Sequence, residues 1–556
     1  MRKLLILTAY ILFFWIILPG TIVLSATWFD TLAGFGSVKE LAGGILILCF
    51  ALPLLAVSII QFRKFSGKYP VSADPPGLFI RKGLYAVWRH PIYLFYTLAL
   101  IGVALIWGSG GMLFFSIPSF ILLEGFYIVI EERILVRRFG KSYLNYRKIT
   151  PLVVPRFYFW LKIPCFFLFG PLFSYRALGK ENIPDSPPFF LLSSHRNYLD
   201  PFYLAQAFPF TIRNVTTFEM YRTGKSRWFF KALDCIPKKR YLHDISTGRE
   251  ILRAIGQDAV IGIFPEGERG WTGAMQSLKP ETLNLFSKFS HIPILPVRLQ
   301  GNFFAWPRWG NGPRRAPVRV EFLEPITINK EWDREQIAAR ITAAIDAEDL
   351  NHSDFYCRSK WRMEEISKVI YRCPLCRSFD SMILSKDRGE CSKCGATTEI
   401  DERYNLTCRN EVDEIKGSLE ETYLQLKIRS KELENLSDRT FPREFQALCS
   451  DDEKIIAFSG QVELSAESFP RMEQLLTGSM ILTGRRLVFS DDSDIRSISL
   501  KAVSSVTTES NYKLQVYDSS AKKLYQVVFG RESVLKWQDL IAAVIEKEFM
   551  QTPNLR

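Results

Sequence analysis

Long apolar stretches near the amino terminus limit this chain more than any other feature. A helix needs about 20 apolar residues to cross a bilayer. The 4–26 run also allows a secretory signal, but it is too long for one and has no clear cleavage site. Gly108 to Gly111 form the only break between the last two runs, which predicts a helical hairpin. We therefore predict an α-helical transmembrane bundle over 1–155, with four spans at 4–26, 41–62, 92–107 and 112–130.

The basic residues around these runs predict an orientation. The 63–90 connection and the segment after 130 carry six Lys or Arg residues each in their basic clusters, whereas the 27–40 connection has only Lys39. The positive-inside rule then places the amino terminus and everything after 131 in the cytoplasm. We expect an integral membrane protein, with the inner membrane of a bacterium as its location.

Composition indicates several domains and a membrane partner. A chain of 556 residues is too long for one hydrophobic core, and 23% charged residues next to 47% hydrophobic ones indicate soluble domains joined to the spans. The net charge of +13 suits an anionic membrane or nucleic acid. Because the basic residues flank the spans, we expect membrane lipids and no nucleic acid as partners.

Polar motifs bracket the predicted hairpin. Arg89-His90-Pro91-Ile92-Tyr93 precedes it, and Glu131-Glu132 follows it. Paired acids at the end of a span are costly without a partner or a ligand. One interpretation is an interfacial cluster in which Arg89 neutralises a glutamate.

These motifs, with Gly83-Leu84-Tyr85 before them and Phe139-Gly140, Tyr143 and Tyr146 after them, resemble the isoprenylcysteine and phospholipid methyltransferase family over roughly 40–155. The resemblance implies an S-adenosylmethionine pocket near the cytoplasmic interface. Its lining, carried over by position, would be Arg89, His90, Tyr93, Glu131 and Glu132. Whether methyl transfer occurs in this chain is left open by the sequence.

A central α/β domain is predicted over 156–350. It opens with an apolar segment, 157–173, that Pro164, Gly170 and Pro171 interrupt, and we interpret it as an interfacial anchor. Short apolar runs at 189–192, 259–264 and 291–297 predict buried strands.

Polar blocks follow the first two of these strands. They are His195-Arg196-Asn197-Tyr198-Leu199-Asp200 and Pro265-Glu266-Gly267-Glu268-Arg269-Gly270, and the third strand contains Ile292-Pro293-Ile294-Leu295-Pro296-Val297. The ordered set resembles the glycerophospholipid (lysophosphatidic acid) acyltransferase family over roughly 160–345. The resemblance implies acyl transfer from a thioester, on acyl-CoA or acyl carrier protein, to the hydroxyl of a lysophospholipid.

The residue types suit that chemistry. His195 is the predicted general base, and Asp200 orients its ring. Ser193 and Ser194 lie outside any G-x-S-x-G elbow, so we interpret them as polar residues at a strand end.

The acceptor's phosphate needs a cation, and we predict a substrate-binding loop of Glu266, Gly267 and Arg269. Arg240 is the second candidate cation, or else part of a solvated basic run. Asp234 and Glu268 depart from the family pattern, which puts the acceptor's identity in doubt.

The last third of the chain predicts accessory modules. Cys373, Cys376, Cys391 and Cys394 have the spacing of a structural Zn²⁺ site, so we predict a zinc ribbon over 365–400. Four of the ten cysteines are used in this way and the other six are scattered, which indicates a reducing compartment rather than a disulfide framework.

Charged, heptad-like sequence predicts a linker helix over 405–440. Successive short strands closed by a helix over 450–550 resemble GRAM and pleckstrin-homology-like barrels. We therefore expect lipid or protein docking through this module and the zinc ribbon.

Two other functions fit the sequence. One is a membrane methyltransferase whose acyltransferase-like domain binds lipid but is inactive. The other is a membrane scaffold built on the zinc ribbon and the barrel.

Overall fold

The structure is a computed structural model in which the described residues form a group of apolar helices followed by three sheets. It describes residues 8, 12–34, 38–70, 79–239, 245–347, 353–434, 441, 443–450, 453–469, 471–491 and 493–549. Part of the predicted first span, residues 4–7 and 9–11, therefore lies outside the described residues.

The amino-terminal region is helical. Its longer helices are Leu18–Ala33, Leu41–Ser66, Pro91–Trp107 and Ile117–Ile149, the first and last continuing π-helical turns at Phe13–Ile17 and Met112–Ser116. Among the described residues, two helices are long and apolar enough to cross a membrane, Leu41–Ser66 and Met112–Ile149. Pro91–Trp107 is apolar but has only 17 residues.

Large apolar side chains on these helices face outward. Leu46 is 73% exposed, Leu122 76% and Phe126 68%. An apolar surface of this kind is costly in water and suits contact with lipid. A membrane location for this region follows from the exposed face together with the two candidate spans.

Two features of the apolar segments differ from the prediction, one boundary and the continuity of one helix. The second helix of the hairpin continues past 130 to Ile149, because residues beyond the apolar run favour a helix, and it bends at Gly140, where φ is 55°. The helix Phe157–Phe173 is continuous through Pro164 and Pro171. Its buried face, which includes Phe169 and Phe173, packs on the central domain and offsets the lost hydrogen bonds.

A seven-stranded sheet forms the central domain. Its strands are β1 Arg176–Leu178, β2 Phe189–Leu192, β3 Ile212–Thr217, β4 Ile236–Lys238, β5 Val260–Ile263, β6 Ile294–Gln300 and β7 Arg319–Phe322. Their order is β1-β7-β6-β2-β5-β3-β4, and every pair is parallel except β6 with β7. Because β2 and β5 are parallel neighbours, the polar blocks that follow them emerge at one edge of the sheet.

Helices cover the two faces of this sheet. They are Asp200–Ala207, Gly224–Ala232, Ile245–Gly256, Pro280–Lys288, Asn302–Ala305 and Arg334–Ile345. All four residues of β2 and of β5 are buried, as their continuous apolar runs predict.

The predicted linker helix over 405–440 is wrong. A second sheet contains β8 Met382–Leu384, β9 Arg388–Cys391, β10 Thr397–Ile400, β11 Asn405–Arg409 and β12 Glu414–Ser418, in the order β12-β11-β10-β9-β8. Pairing with β10 satisfies the backbone of β11 and buries Leu406 and Cys408, which outweighs the helical propensity. A helix begins only at Leu419, where Ser418 and Glu421 form a capping box, and it ends at Leu426. Residues 435–440 lie outside the described residues.

A third, antiparallel sheet occupies the carboxyl-terminal region. It contains β13 Ile455–Ser468, β14 Arg471–Thr483, β15 Arg486–Ser490, β16 Ile495–Ser499, β17 Val503–Glu509, β18 Lys513–Asp518 and β19 Lys523–Phe529. The order is β16-β15-β14-β13-β19-β18-β17, and the helix Val534–Phe549 follows. The predicted apolar face of this helix packs inward, with Trp537, Ile541 and Val544 fully buried. We call β13–β19 and this helix the C-terminal sheet domain.

One buried apolar cluster joins these parts. It runs from Phe169 in the anchor helix through the central sheet and the segment around Tyr371 to Val544 in the last helix. The C-terminal sheet domain is therefore packed against the central domain.

Candidate active site

His195 and Asp200 meet at the carboxyl end of β2. The His195 Nδ1 atom lies 2.9 Å from Oδ2 of Asp200, which is fully buried at the start of the helix Asp200–Ala207. The same Oδ2 accepts the backbone N–H groups of Arg196 and Asn197, each at 2.8 Å. These donors hold the carboxylate so that it accepts Nδ1–H, which leaves Nε2 as the proton-accepting nitrogen.

The loop after β5 holds His195 through its backbone. Glu266 Oε1 accepts the His195 N–H at 2.7 Å, and the Gly270 N–H donates to the His195 carbonyl at 3.0 Å. The imidazole also stacks on Phe264, with ring centroids 4.2 Å apart. The two polar blocks, separated by about seventy residues of sequence, form one unit.

Glu266 stabilises this loop rather than facing the pocket. It is fully buried, and its other oxygen accepts the Gln276 N–H at 2.8 Å. Burial raises the pKa of its carboxyl group to about 7, and the two backbone hydrogen bonds oppose that rise. Gly267 forms the turn with φ of 76°, a conformation that favours glycine.

Arg269 is placed by an aromatic ring. Its guanidinium carbon lies 3.4 Å from the centroid of the Tyr198 ring. Stacking keeps the planar fork in one orientation while its donors stay available for an oxyanion. Tyr198 and Asp200 belong to one block of sequence, so the same block orients both Arg269 and His195.

Both groups open on the same cavity of about 550 Å³. His195 and Arg269 lie in its lining together with Tyr158 and Lys162 of the anchor helix. Aromatic and apolar residues such as Phe202, Met220 and Phe230 line it further. A mostly apolar cavity with a few polar groups is typical of a small-molecule binding site.

Sequence reasoning missed three residues of this site. Asn302 donates its side-chain amide to Asp200 Oδ1 at 2.8 Å, from a position about one hundred residues further along the chain. Tyr198 stacks on Arg269, and Arg308 donates to the Arg269 carbonyl at 2.7 Å. Tyr198 was within the motif and could have been named, but nothing in the local sequence marks Asn302 or Arg308.

Two predicted features have other outcomes. Arg240 lies outside the described residues. Ser193 and Ser194 are fully buried, so neither presents a hydroxyl to the cavity.

The predicted methyltransferase residues form a second cluster. Arg89 pairs with Glu132 at 2.7 Å, and the two His90 ring nitrogens lie 3.6 and 3.5 Å from the carboxylates of Glu131 and Glu132. The Tyr93 hydroxyl donates to Glu131 at 3.1 Å. The structure thus brings together all five residues that were predicted from separate ends of the hairpin.

Four cysteines form a third cluster. The Sγ atoms of Cys373, Cys376, Cys391 and Cys394 lie within 4.8 Å of one another. Cys373 and Cys394 are 3.8 Å apart, and Cys376 and Cys391 are 3.6 Å apart. Sulfur atoms bound to one Zn²⁺ at about 2.3 Å in a tetrahedron are separated by roughly 3.75 Å, so the four thiols have room for one such ion.

Comparisons with known proteins agree with the two larger clusters. Residues 175–300 match the family model described as Acyltransferase, and residues 40–142 match the one described as Phospholipid methyltransferase. These matches confirm the resemblances predicted for the central and amino-terminal parts of the chain.

Individual relatives are similar over shorter stretches. A 1-acyl-sn-glycerol-3-phosphate acyltransferase from Cocos nucifera is 31% identical over 94 residues, which are 17% of this chain and 30% of the relative. A 1-acyl-sn-glycerol-3-phosphate acyltransferase alpha from Mus musculus is 25% identical over 155 residues, 27% of this chain and 53% of the relative. The chain thus spans between about a third and about half of the length of these relatives.

A solved structure is also similar. It is the 1-acyl-sn-glycerophosphate (LPA) acyltransferase from Thermotoga maritima, with 19% sequence identity and a TM-score of 0.32. The similarity covers 41% of this chain and 89% of that one.

Proposed function

We propose that the chain is a membrane-bound O-acyltransferase that moves an acyl group from a thioester to the hydroxyl of a 1-acylglycerol-3-phosphate-like lysophospholipid. The observation that carries this proposal is the pairing of a His195–Asp200 couple with Arg269 at one wall of one cavity. The acyltransferase match over 175–300 supports the same reaction.

The reaction needs one proton carrier and one anion-binding group. The acceptor hydroxyl gives its proton to Nε2 of His195 while its oxygen bonds to the carbonyl carbon of the thioester. The carbon–sulfur bond then breaks, and the leaving thiolate takes the proton back from the imidazolium. Asp200 stabilises the imidazolium, and Arg269 binds the acceptor's phosphate. The donor is acyl-CoA or acyl carrier protein.

A histidine substitution tests this function. We expect His195→Ala to abolish acyl transfer from acyl-CoA to 1-acylglycerol-3-phosphate in membranes that contain the full chain. His291→Ala is the matched control, because His291 is exposed outside the cavity. Activity equal to that of the control would refute the proposal.

The anchor helix supports a membrane-bound site. One face of Phe157–Phe173 packs on the central domain, while Trp160, Phe166 and Phe167 are 53–67% exposed on the other. This arrangement suits a helix lying in the interface, with the cavity next to it open to lipid. The cytoplasmic orientation remains a proposal from the loop charges.

Methyl transfer is a second candidate function, which the match over 40–142 favours. The cluster around Arg89 also offers one buried donor, Arg89 Nε, that lacks a hydrogen-bond partner among the described residues. Such a donor suits a bound polar ligand. S-adenosylmethionine would supply an electrophilic methyl group, and Glu131 and Glu132 would stabilise its positive charge.

Ligand binding and methyl transfer can both be measured. We expect Arg89→Gln to lose photocrosslinking to S-adenosylmethionine, whereas Arg133→Gln, the same change at an exposed position, keeps it. Parallel incubations with labelled S-adenosylmethionine and with acyl-CoA separate the two activities. Methylated lipid without acylated lipid would favour a methyltransferase whose central domain only binds lipid.

The remaining modules are proposed as structural and docking units. The four-thiol cluster supports a structural zinc ribbon, since protein ligands would fill all four positions. The strand order and closing helix of the C-terminal sheet domain support a GRAM or pleckstrin-homology-like module.

A further inference from the structure

Arg308 lies buried between the loop after β5, which contains Arg269, and the C-terminal sheet domain. Its Nη1 donates to the carbonyl oxygen of Arg269 at 2.7 Å. Its Nη2 donates to the backbone oxygen and to Oγ1 of Thr508, each at 2.7 Å, and to the Ser510 carbonyl at 3.3 Å. One guanidinium therefore connects the loop after β5 to strand β17.

The burial of this charge makes the connection costly to break. Arg308 is 1% exposed, and its guanidinium is compensated by Glu268 at 3.7 Å and by the Trp271 ring, 4.4 Å from the centroid. A buried charge must keep its partners, because losing one leaves a desolvated group. The contacts of Arg308 with β17 therefore fix the positions of Glu268 and Arg269 in the loop.

Strand β17 also forms part of the cavity that contains His195 and Arg269. Ser504, Ser505, Thr507 and Glu509 line that cavity, while Thr508 between the last two bonds to Arg308. The strand thus contributes polar groups to the wall and anchors the loop at the same time.

A second set of contacts joins the central domain to the C-terminal sheet domain. Arg222, in the segment between β3 and β4, pairs with Glu467 at the end of β13 at 2.7 Å. Phe218 stacks on Phe469 with centroids 5.5 Å apart, and Lys239 lies 4.8 Å from the Phe469 ring centroid. These contacts and the shared apolar cluster pack the C-terminal sheet domain against the central domain beside the cavity.

We propose that the C-terminal sheet domain completes the acyl-acceptor site, with Arg308 as a positioning residue that orients Arg269 through Thr508. The proposal rests on the acyltransfer function above and goes beyond it by giving the domain a part in acceptor binding. The acceptor affected is the phosphate-bearing lysophospholipid, because the residue positioned is its phosphate ligand.

The test uses substitutions on both sides of the contact. Thr508→Val removes one acceptor from Arg308 and leaves the backbone acceptor in place. We expect it to raise KM for 1-acylglycerol-3-phosphate about fivefold, with kcat and KM for acyl-CoA within about twofold of wild type. Arg308→Lys should raise the same KM by more than about tenfold. An ammonium lacks the planar fork with which the guanidinium contacts Arg269 and Thr508 at the same time.

Matched controls lie in the same sheet. Thr477→Val changes an exposed threonine of β14, and Arg496→Lys changes an exposed arginine of β16. We expect both to leave all three constants unchanged. Thermal unfolding of each variant in detergent shows whether it folds, and Thr508→Val keeps the test usable if Arg308→Lys does not.

The outcomes separate the two proposals. An acceptor KM equal to wild type in Thr508→Val and Arg308→Lys, in an active protein, would overturn this inference alone. A fall in kcat together with rises in both KM values would also overturn it, because such changes indicate general loss of structure. A wild-type chain without acyl transfer would overturn the proposed function and this inference with it.

Discussion

Oδ2 of Asp200 accepts three hydrogen bonds, from Nδ1 of His195 at 2.9 Å and from two backbone N–H groups at 2.8 Å. Asn302 donates to the other oxygen of the same carboxylate. All of these partners are donors, so the site is built for an acceptor-only side chain. The imidazole is consequently held through Nδ1, which leaves Nε2 as the proton-accepting nitrogen.

An amide in place of Asp200 should therefore disable the base. Asp200→Asn offers one acceptor and one NH₂ group where two acceptors are needed, so at least one donor is left facing another donor. We expect kcat for acyl transfer to fall by about 100-fold or more, with the acceptor KM little changed. Steady-state kinetics on the purified chain measures this.

Asp185→Asn is the control for this change, because Asp185 is exposed and pairs with Lys82 at the surface. We expect it to keep wild-type kinetics. A wild-type kcat in Asp200→Asn would contradict the assigned role of the carboxylate.

Arg269 should depend on the ring of Tyr198. We expect Arg269→Lys to raise the acceptor KM about tenfold or more, because the ammonium keeps the charge but loses the stacked planar fork. Tyr198→Leu removes the ring and should raise the same KM about three- to tenfold, whereas Tyr198→Phe keeps the ring and should stay near wild type. The exposed Arg249→Lys is the control for the arginine change. Equal KM values in Tyr198→Leu and Tyr198→Phe would rule out stacking as the cause.

Glu266 should make stability depend on pH. Burial raises the pKa of its carboxyl group in the folded chain from 4.5 to about 7. Between these values the folded state binds more protons than the unfolded state, so its contribution to stability falls as pH rises from about 4.5 to about 7. The full loss corresponds to about 3 kcal/mol.

Glu266→Gln removes this group and cannot accept both backbone N–H groups. We expect the variant to be less stable than wild type, and the wild-type loss of stability between pH 5 and 7 to be smaller in the variant. Thermal unfolding in detergent across this range measures both. Parallel pH profiles for the two proteins would show that Glu266 does not titrate there.

Zinc content should depend on the four clustered thiols. We expect about one Zn²⁺ per chain in the wild type and loss of that zinc in Cys376→Ser, because three ligands hold a structural ion weakly. Cys449→Ser is the control, since Cys449 lies outside the cluster. Elemental analysis of the purified chain gives the ratio, and zinc retained in Cys376→Ser would contradict the site.

Local patterns were sufficient for much of this molecule. Continuous apolar runs predicted the buried strands β2 and β5, and short apolar runs separated by turns predicted strands of the C-terminal sheet domain. The ordered motifs predicted His195, Asp200, Glu266 and Arg269 through their resemblance to the glycerophospholipid acyltransferase family. Local propensity failed over 405–418, where pairing of β11 with β10 and of β12 with β11 forms strands in place of the predicted helix.

The sequence by itself determined the candidate residues: the proposed base and its carboxylate, the proposed phosphate-binding arginine and the four clustered thiols. The tertiary structure alone decided which distant residues support them. Asn302 reaches the site from the short helix after β6, Arg308 from the loop that follows this helix, and Thr508 from a separate sheet. Their roles depend on the distances between elements, which sheet pairing and the packing of the core set, and no local pattern in a single sequence encodes those distances.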